Sequence, residues 1–195
     1  MKVYFLMFLI LNLFSPFANQ SSFALVVNVL GRSNFTENQS AQLGRVSTLL
    51  NHALNGEDFK NAVLNFSYQG KKQFVQNNGM TNEQIYHFLM SGAEKYPTAQ
   101  LANEKADMNL TIYYPRWYSR SSAVAFTSTS DPFLHIYNNY YNTALLSELS
   151  NTLVHEWTHK MGFDHDYKNT PQRPFSVPYG VGGIIEGLVS RMNPN

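Results

Sequence analysis

The chain has 195 residues, a formal net charge of +1 and only 14% charged residues, whereas charged residues usually make up about a quarter of a globular protein. This length suits one domain with a sizeable core, and no basic stripe indicates a nucleic-acid partner. The sequence contains no cysteine, which excludes disulfide bonds, a thiolate metal ligand and inhibition by a propeptide cysteine.

The N-terminus has the features of a secretory signal peptide. One lysine precedes a short apolar run, Val3 to Phe14, and small residues follow it up to Ala18. The run is too short to span a bilayer comfortably. We therefore expect residues 1–18 to be removed and residues 19–195 to form one secreted or periplasmic domain, monomeric and without a membrane anchor. Cleavage after Ala24 and an uncleaved anchor are the alternatives.

Hydrophobic spacing in the first two thirds of the chain predicts alternating strands and helices. The nearly continuous apolar run from Phe23 to Leu30 is typical of a strand that is buried on both faces. Apolar residues at helical spacing predict an amphipathic helix over Gln39–Leu54, and Thr81 is a capping residue for a second helix that reaches Tyr96. Further strands are predicted over Phe59–Tyr68, Lys72–Gln76 and Met108–Trp117. This order predicts an α/β fold with a largely parallel sheet.

Two more strands are predicted before the chemically informative part of the chain. The first covers Ser122–Thr129 and the second Phe133–Tyr141. The second strand is polar and rich in aromatic residues, among them His135 and Tyr137. Such a composition suits a strand at the edge of the sheet rather than in its interior.

A metal-binding pattern lies at the end of a predicted helix over Leu145–Lys160. His155 and His159 are four residues apart, so their side chains project from one helix face, one turn apart, and can chelate one ion. Glu156 lies beside them and is placed to hold a water molecule rather than the ion. Its carboxylate can take a proton from that water as a general base.

A third histidine follows the helix. Gly162 stands where the helix would end, and glycine adopts the left-handed conformation that reverses the chain at low cost. The reversal brings back His165 as a third ligand. Three neutral imidazoles leave one tetrahedral position open, which is typical of a catalytic zinc site rather than a structural one. A helix that carries histidines at this spacing by chance is the alternative.

The pattern H-E-x-x-H-x-x-G-x-x-H from His155 to His165 resembles the metzincin clan of zinc metallopeptidases over the whole motif. The resemblance implies a twisted, mostly parallel sheet with an antiparallel edge strand and backing helices, an active-site helix and a small C-terminal subdomain. The upper subdomain would then cover residues 19–165 and the lower one residues 166–195. It also implies that the edge strand, here Phe133–Tyr141, pairs with an extended peptide substrate, unless it is an ordinary solvated edge.

The chain after the motif departs from the clan. A proline-containing loop is expected there, followed by a helix over Gly182–Met192. In metzincins a tight turn places a methionine beneath the zinc, but the matching stretch Ser176–Gly180 contains none. If Val177 takes its place, Tyr179 corresponds to a tyrosine of astacins and serralysins that reaches the zinc or stabilises the transition-state oxyanion. A turn aromatic that packs on the lower subdomain is the alternative.

These features predict a secreted zinc endopeptidase that hydrolyses extended protein or peptide substrates. Zinc held by His155, His159 and His165 would polarise the scissile carbonyl, and Glu156 would activate the water and deliver the proton to the leaving amine. One alternative is a catalytically degenerate zinc-binding protein. Another is a secreted interaction or glycan-binding module whose zinc is structural, with Asp164, Asp166 or Tyr179 as a fourth ligand. The other histidines, at positions 52, 87 and 135, are expected to be surface or core-edge residues.

Overall fold

A computed structural model of the protein describes residues 24–95, 102–116, 123–127 and 130–193, so the predicted signal peptide lies outside the described residues. The described elements, in chain order, are β1 (Val26–Ser33), α1 (Glu37–Leu54), α2 (Glu57–Asn65), α3 (Asn82–Ser91), β2 (Lys105–Tyr113), β3 (Ala125–Phe126), β4 (Leu134–Tyr137), α4 (Asn138–Thr143), α5 (Leu146–Lys160), a short 3-10 helix (Arg173–Phe175) and α6 (Val177–Met192). Within these ranges, no helix has both the length and the apolar character needed to cross a bilayer.

The strands form a single mixed sheet in the order β1-β2-β4-β3. β1, β2 and β4 are parallel, and β3 runs antiparallel to β4 at one edge. The predicted α/β class with a mostly parallel sheet is therefore confirmed. The prediction that Phe133–Tyr141 forms the edge strand is wrong, because β4 lies between β2 and β3 and buries Leu134 and Ile136. The chain then turns directly into α4 at Asn138.

The first strand is not buried on both faces as its apolar run predicted. Val27 is buried, but the side chains of Val26 and Leu30 are 49% and 51% exposed. β1 is the other edge of the sheet, and its buried residues belong to the same core as those of α1. An apolar run therefore does not reveal how many layers cover a strand.

The predicted strands over Phe59–Tyr68 and Lys72–Gln76 are also wrong. The first range belongs mostly to α2, in which Phe59 and Val63, one helical turn apart, are fully buried. The second range contains no strand, and Phe74 within it stacks on Phe66 with ring centroids 4.0 Å apart. Packing of aromatic rings and one isolated bridge, between Val75 and Ser176, hold this part of the chain outside the sheet.

The two long helices predicted before β2 are present. α1 and α3 both begin with a capping box, in which the N-cap threonine, Thr36 or Thr81, and the glutamine three residues later bond each other's backbone N–H. α3 ends at Ser91, earlier than the predicted Tyr96, because Gly92 takes the left-handed conformation (φ 59°) and stops the helix. Tyr96 itself lies outside the described residues.

α5 is the central helix of the fold. It contacts β2, β3 and β4 on one side and packs closely on α6 on another, and Leu149, Val154 and Trp157 on it are fully buried. Gly182 on α6 allows this approach, because a Cβ there would lie 2.2 Å from Oδ1 of Asn151 on α5. The helix that carries the candidate ligands is thus fixed by the core.

We expect Gly92→Ala to destabilise the protein by roughly 2–4 kcal/mol, because the left-handed backbone strains an alanine and because its Cβ would lie 2.1 Å from the Lys105 carbonyl oxygen. Gly44→Ala is the matched control. Gly44 lies inside α1 with no heavy atom within 4 Å of an added Cβ, so this change should stabilise by about 0.5–1 kcal/mol. Urea unfolding of both variants measures the difference, and equal stabilities would contradict the assigned turn.

Candidate metal centre

The end of α5 carries the first two candidate ligands. His155 and His159 lie one turn apart in the last two turns of the helix, with ring centroids 5.1 Å apart. Leu153, Val154 and Trp157 on other faces of the same turns are buried. Because the apolar faces are held by the core, both imidazoles are presented on the face that lines a cleft.

A Schellman turn ends α5 and brings back the third histidine. Gly162 has φ +90°, its N–H bonds the His159 carbonyl at 2.9 Å, and the N–H of Phe163 bonds the Thr158 carbonyl at 3.1 Å. This pair of bonds defines the motif. Phe163 is then buried in the core, which fixes the chain that leads to His165.

The three histidines form one group that could hold a metal ion. One ring nitrogen from each of His155, His159 and His165 lies within 4.8 Å of the others, and Nε2 of His155 is 3.2 Å from Nε2 of His165. Two nitrogens at about 2.0–2.1 Å from a tetrahedral ion would be about 3.3 Å apart. The distance between His155 and His165 therefore matches that of two ligands on a small tetrahedral cation.

Backbone carbonyls orient two of these rings. Nδ1 of His159 donates to the Phe163 carbonyl at 2.9 Å, and Nδ1 of His165 donates to the Asp166 carbonyl at 3.1 Å. A proton on Nδ1 leaves the lone pair of Nε2 free for a metal, and such outer hydrogen bonds are the usual way to fix a ligating histidine.

The protonation equilibria also favour neutral ligands. Burial, followed by the neighbouring histidines, lowers the pKa of His155 to about 3. Burial also lowers the pKa of His159. Because only a neutral imidazole can bind a metal, these two rings are ready for an ion at neutral pH without losing a proton.

Glu156 lies next to the histidine group but is not part of it. Its side chain is 7% exposed, lines the same cleft and makes no hydrogen bond to any residue that the structure describes. Burial raises the pKa of Glu156 to about 8, against the opposing charge of Lys160. Lys160 itself is held by the Asp131 carbonyl, to which its Nζ donates.

The neighbouring aspartates are occupied elsewhere. Both carboxylate oxygens of Asp166 accept hydrogen bonds, from Gln76 at 2.8 Å and from Thr170 at 2.5 Å. Asp164 is exposed and accepts the backbone N–H of His165 at 2.7 Å. No described carboxylate joins the three histidines, so neither Asp164 nor Asp166 belongs to the group in this structure.

Tyr179 packs directly on the histidine group. Its ring centroid lies 4.5 Å from that of His155 and 4.8 Å from that of His165, and the Arg173 guanidinium carbon lies 4.8 Å from the ring centroid. Ser176 is the N-cap of α6, so the stretch that we matched to the methionine turn is the first turn of a helix. The predicted last helix therefore begins five residues before Gly182, and the fully buried Val177 starts it.

The histidines lie in a cleft of about 1000 Å³ between α5, α6 and the strand β3. Sequence reasoning missed three polar residues that line it further along α5 and α6, namely Glu148, Asn151 and Glu186. A signal for two of them was present, because Glu148, Asn151 and His155 recur at the spacing of one helix face.

The remaining histidines lie outside this group. His52 and His87 are exposed on helices, as the sequence predicted. His135 lies on β4, 2.6 Å from Asp131, and its ring stacks on Phe126 at 4.5 Å between centroids. These contacts explain His135 without a metal.

A buried carboxylate fixes the opposite side of α5. Glu94 is 2% exposed and accepts hydrogen bonds from the Trp157 indole N–H and from the backbone N–H of Asp107. Burial raises the pKa of Glu94. The tryptophan within the H-E-x-x-H sequence is thereby tied to β2, away from the cleft.

We expect His159→Ala to lose a bound metal ion, because the two remaining imidazoles do not supply the three nitrogen ligands of the site. Metal per protein after extensive dialysis, measured by plasma mass spectrometry, should fall from about one to near zero. His87→Ala, an exposed histidine on α3, is the control and should retain the metal. Retention of a full equivalent by His159→Ala would contradict the assignment of the ligands.

Comparison of the chain with protein-family models and with curated proteins finds no match. Function must therefore be inferred from the residues of the site themselves.

Proposed function

We propose that this protein is a secreted zinc-dependent endopeptidase. The observation that carries the proposal is the group of three histidines that lines an open cleft together with a buried, unbonded glutamate. Three nitrogen ligands with one open position are typical of catalytic zinc. The resemblance of the motif from His155 to His165 to metzincins supports the same assignment, as does the signal-like N-terminal segment for secretion.

Bound zinc would supply a Lewis acid that acidifies a water molecule and polarises a carbonyl group. Glu156 would accept one proton of the attacking water while the water oxygen bonds the carbonyl carbon. As the C–N bond breaks, Glu156 would give this proton to the leaving amine.

Tyr179 would stabilise the charge that develops on the carbonyl oxygen. Its ring is held between two imidazoles and the Arg173 guanidinium, so its position is fixed before substrate binds. A preorganised phenol can donate a hydrogen bond to an oxyanion without reorganisation cost. The contact with His155 and His165 favours this role over packing on a separate subdomain.

An extended peptide would bind along β3. Among the described strands, this short strand is the antiparallel edge of the sheet, and residues 124–127 line the cleft. A peptide can add to such an edge through main-chain hydrogen bonds. We therefore assign to β3 the pairing with substrate that we expected for Phe133–Tyr141.

We expect Glu156→Ala to retain one zinc ion but to lower the rate of peptide hydrolysis by roughly 10²–10⁴-fold, because the general base is removed while the ligands remain. The measurement is cleavage of a peptide library with purified mature protein, with and without a zinc chelator. Glu83→Ala, an exposed glutamate on α3, is the matched control. Full activity of Glu156→Ala would refute the mechanism, and zinc without any cleavage by the unmodified protein would favour a zinc-binding protein.

Tyr179→Phe keeps the ring but removes the hydroxyl. We expect kcat to fall by about 10²-fold, the usual cost of one oxyanion donor, with zinc content and KM nearly unchanged. Steady-state kinetics on one cleaved peptide separate the two parameters. An unchanged kcat would assign Tyr179 to packing alone.

A further inference from the structure

α5 and α6 border the cleft as two antiparallel helices. On α5, Asn151 precedes His155 by one turn, whereas on α6 Glu186 follows Tyr179 by two turns. The ring of Tyr179 contacts His155, and Nδ2 of Asn151 donates to Oε2 of Glu186 at 2.6 Å. The histidines and Tyr179 thus occupy one end of the interhelical face, and Asn151 and Glu186 occupy the other.

A second glutamate lies at that other end. Glu148 is seven residues before His155, on the same helix face and about 10 Å from it along the axis. Its Oε2 accepts the backbone N–H of Leu145 at 2.8 Å, which holds the carboxylate at the start of α5. The hydroxyl of Tyr140, which lines the same cleft, donates to the backbone carbonyl of Glu148 at 3.1 Å and bonds Thr152 at 2.8 Å. Burial raises the pKa of Tyr140, and the charges of Glu148 and Glu186 act in the same direction.

The cleft has an excess of negative charge. Glu148, Asp164 and Glu186 line it, while Arg173 is the only lysine or arginine among its described lining residues and lies over Tyr179 at the histidine end. Each of the two outer glutamates has only one oxygen engaged by a described donor. Glu156, 7% exposed, has no described hydrogen-bond partner at all. Two half-engaged carboxylates, together with the buried acid Glu156 in the same cleft, favour a cationic, hydrogen-bonding ligand.

We propose that the end of the cleft bounded by Glu148 and Glu186 binds a lysine or arginine side chain of the substrate, adjacent to the peptide bond that is cleaved. The proposal rests on the proposed peptidase function, since it places the substrate backbone at the histidine group. One helical turn, about 6 Å, separates His155 from Asn151 and its partner Glu186. The long stem of lysine or arginine can span this distance, and a guanidinium can bond two carboxylates at once.

The test compares peptides that differ at one residue. Each position flanking the cleaved bond carries arginine, lysine or the neutral isostere citrulline, and kcat/KM is measured for each. We expect at least a tenfold preference for the cationic residue at one flanking position, with a preference that weakens as salt is added. Glu186→Gln keeps the acceptor for Asn151 but removes the charge, and it should reduce the preference to less than threefold, mainly through KM.

The control variant is Glu83→Gln, which removes one negative charge from the exposed surface of α3 and should leave the preference intact. Glu186→Lys should go further and favour a peptide with glutamate at the same position. Equal cleavage of arginine and citrulline peptides, or a preference unchanged in Glu186→Gln, would overturn this inference while leaving the peptidase function in place.

A binding measurement distinguishes failure of the cationic subsite from failure of the proposed peptidase function. Fluorescence anisotropy with labelled arginine and citrulline peptides reports selectivity whether or not any peptide is cleaved. Tighter binding of the arginine peptide that Glu186→Gln removes, without hydrolysis, would support the cationic subsite and count against the peptidase. If the protein neither cleaves the peptides nor binds the arginine peptide selectively, both the peptidase function and the cationic subsite are overturned.

Discussion

The site depends on the rigid burial of α5 within the core. This helix carries two histidines and a glutamate on its cleft face, while Leu149, Val154 and Trp157 on its other faces are fully buried. The indole of Trp157 is further tied to the buried Glu94. A metal centre requires ligands held to a fraction of an ångström, and side chains on packed helices meet this demand better than side chains on loops. The core therefore supplies the precision that the chemistry needs.

The third ligand does not come from a regular element, and its position depends on one backbone turn. Gly162, at φ +90°, lets the chain leave α5 and return, and Phe163 is then buried. The same turn serves the metal group twice, because the Phe163 carbonyl that it positions also accepts Nδ1 of His159. One glycine and one buried phenylalanine thus end α5, bring back His165 and orient the ring of His159.

Local signals predicted the site, whereas long-range pairing decided what the sequence could not predict. The spacing of His155, His159 and Gly162 is a property of a single helix and its end, so no knowledge of the rest of the chain was needed. The strand order could not be predicted in this way. No feature of the sequence Phe133–Tyr141 indicates that β3 pairs with β4 on its outer side. For α2, Phe59 and Val63 fit both a strand and a helix period. Glu57 and Asp58 in its first turn were the signal of a helix start.

Close contact between α5 and α6 explains why catalysis and substrate selection would share one surface. Gly182 lies against Asn151 with no room for a side chain, so α6 approaches α5 at its middle. Tyr179 precedes Gly182 by three residues and contacts His155. Glu186 follows Gly182 by four residues and accepts a hydrogen bond from Asn151. A larger residue at position 182 would displace the Asn151 side chain, which holds Glu186, or push α6 away from α5. The width of the cleft, the position of the phenol and the position of the acidic end are therefore coupled through a single glycine.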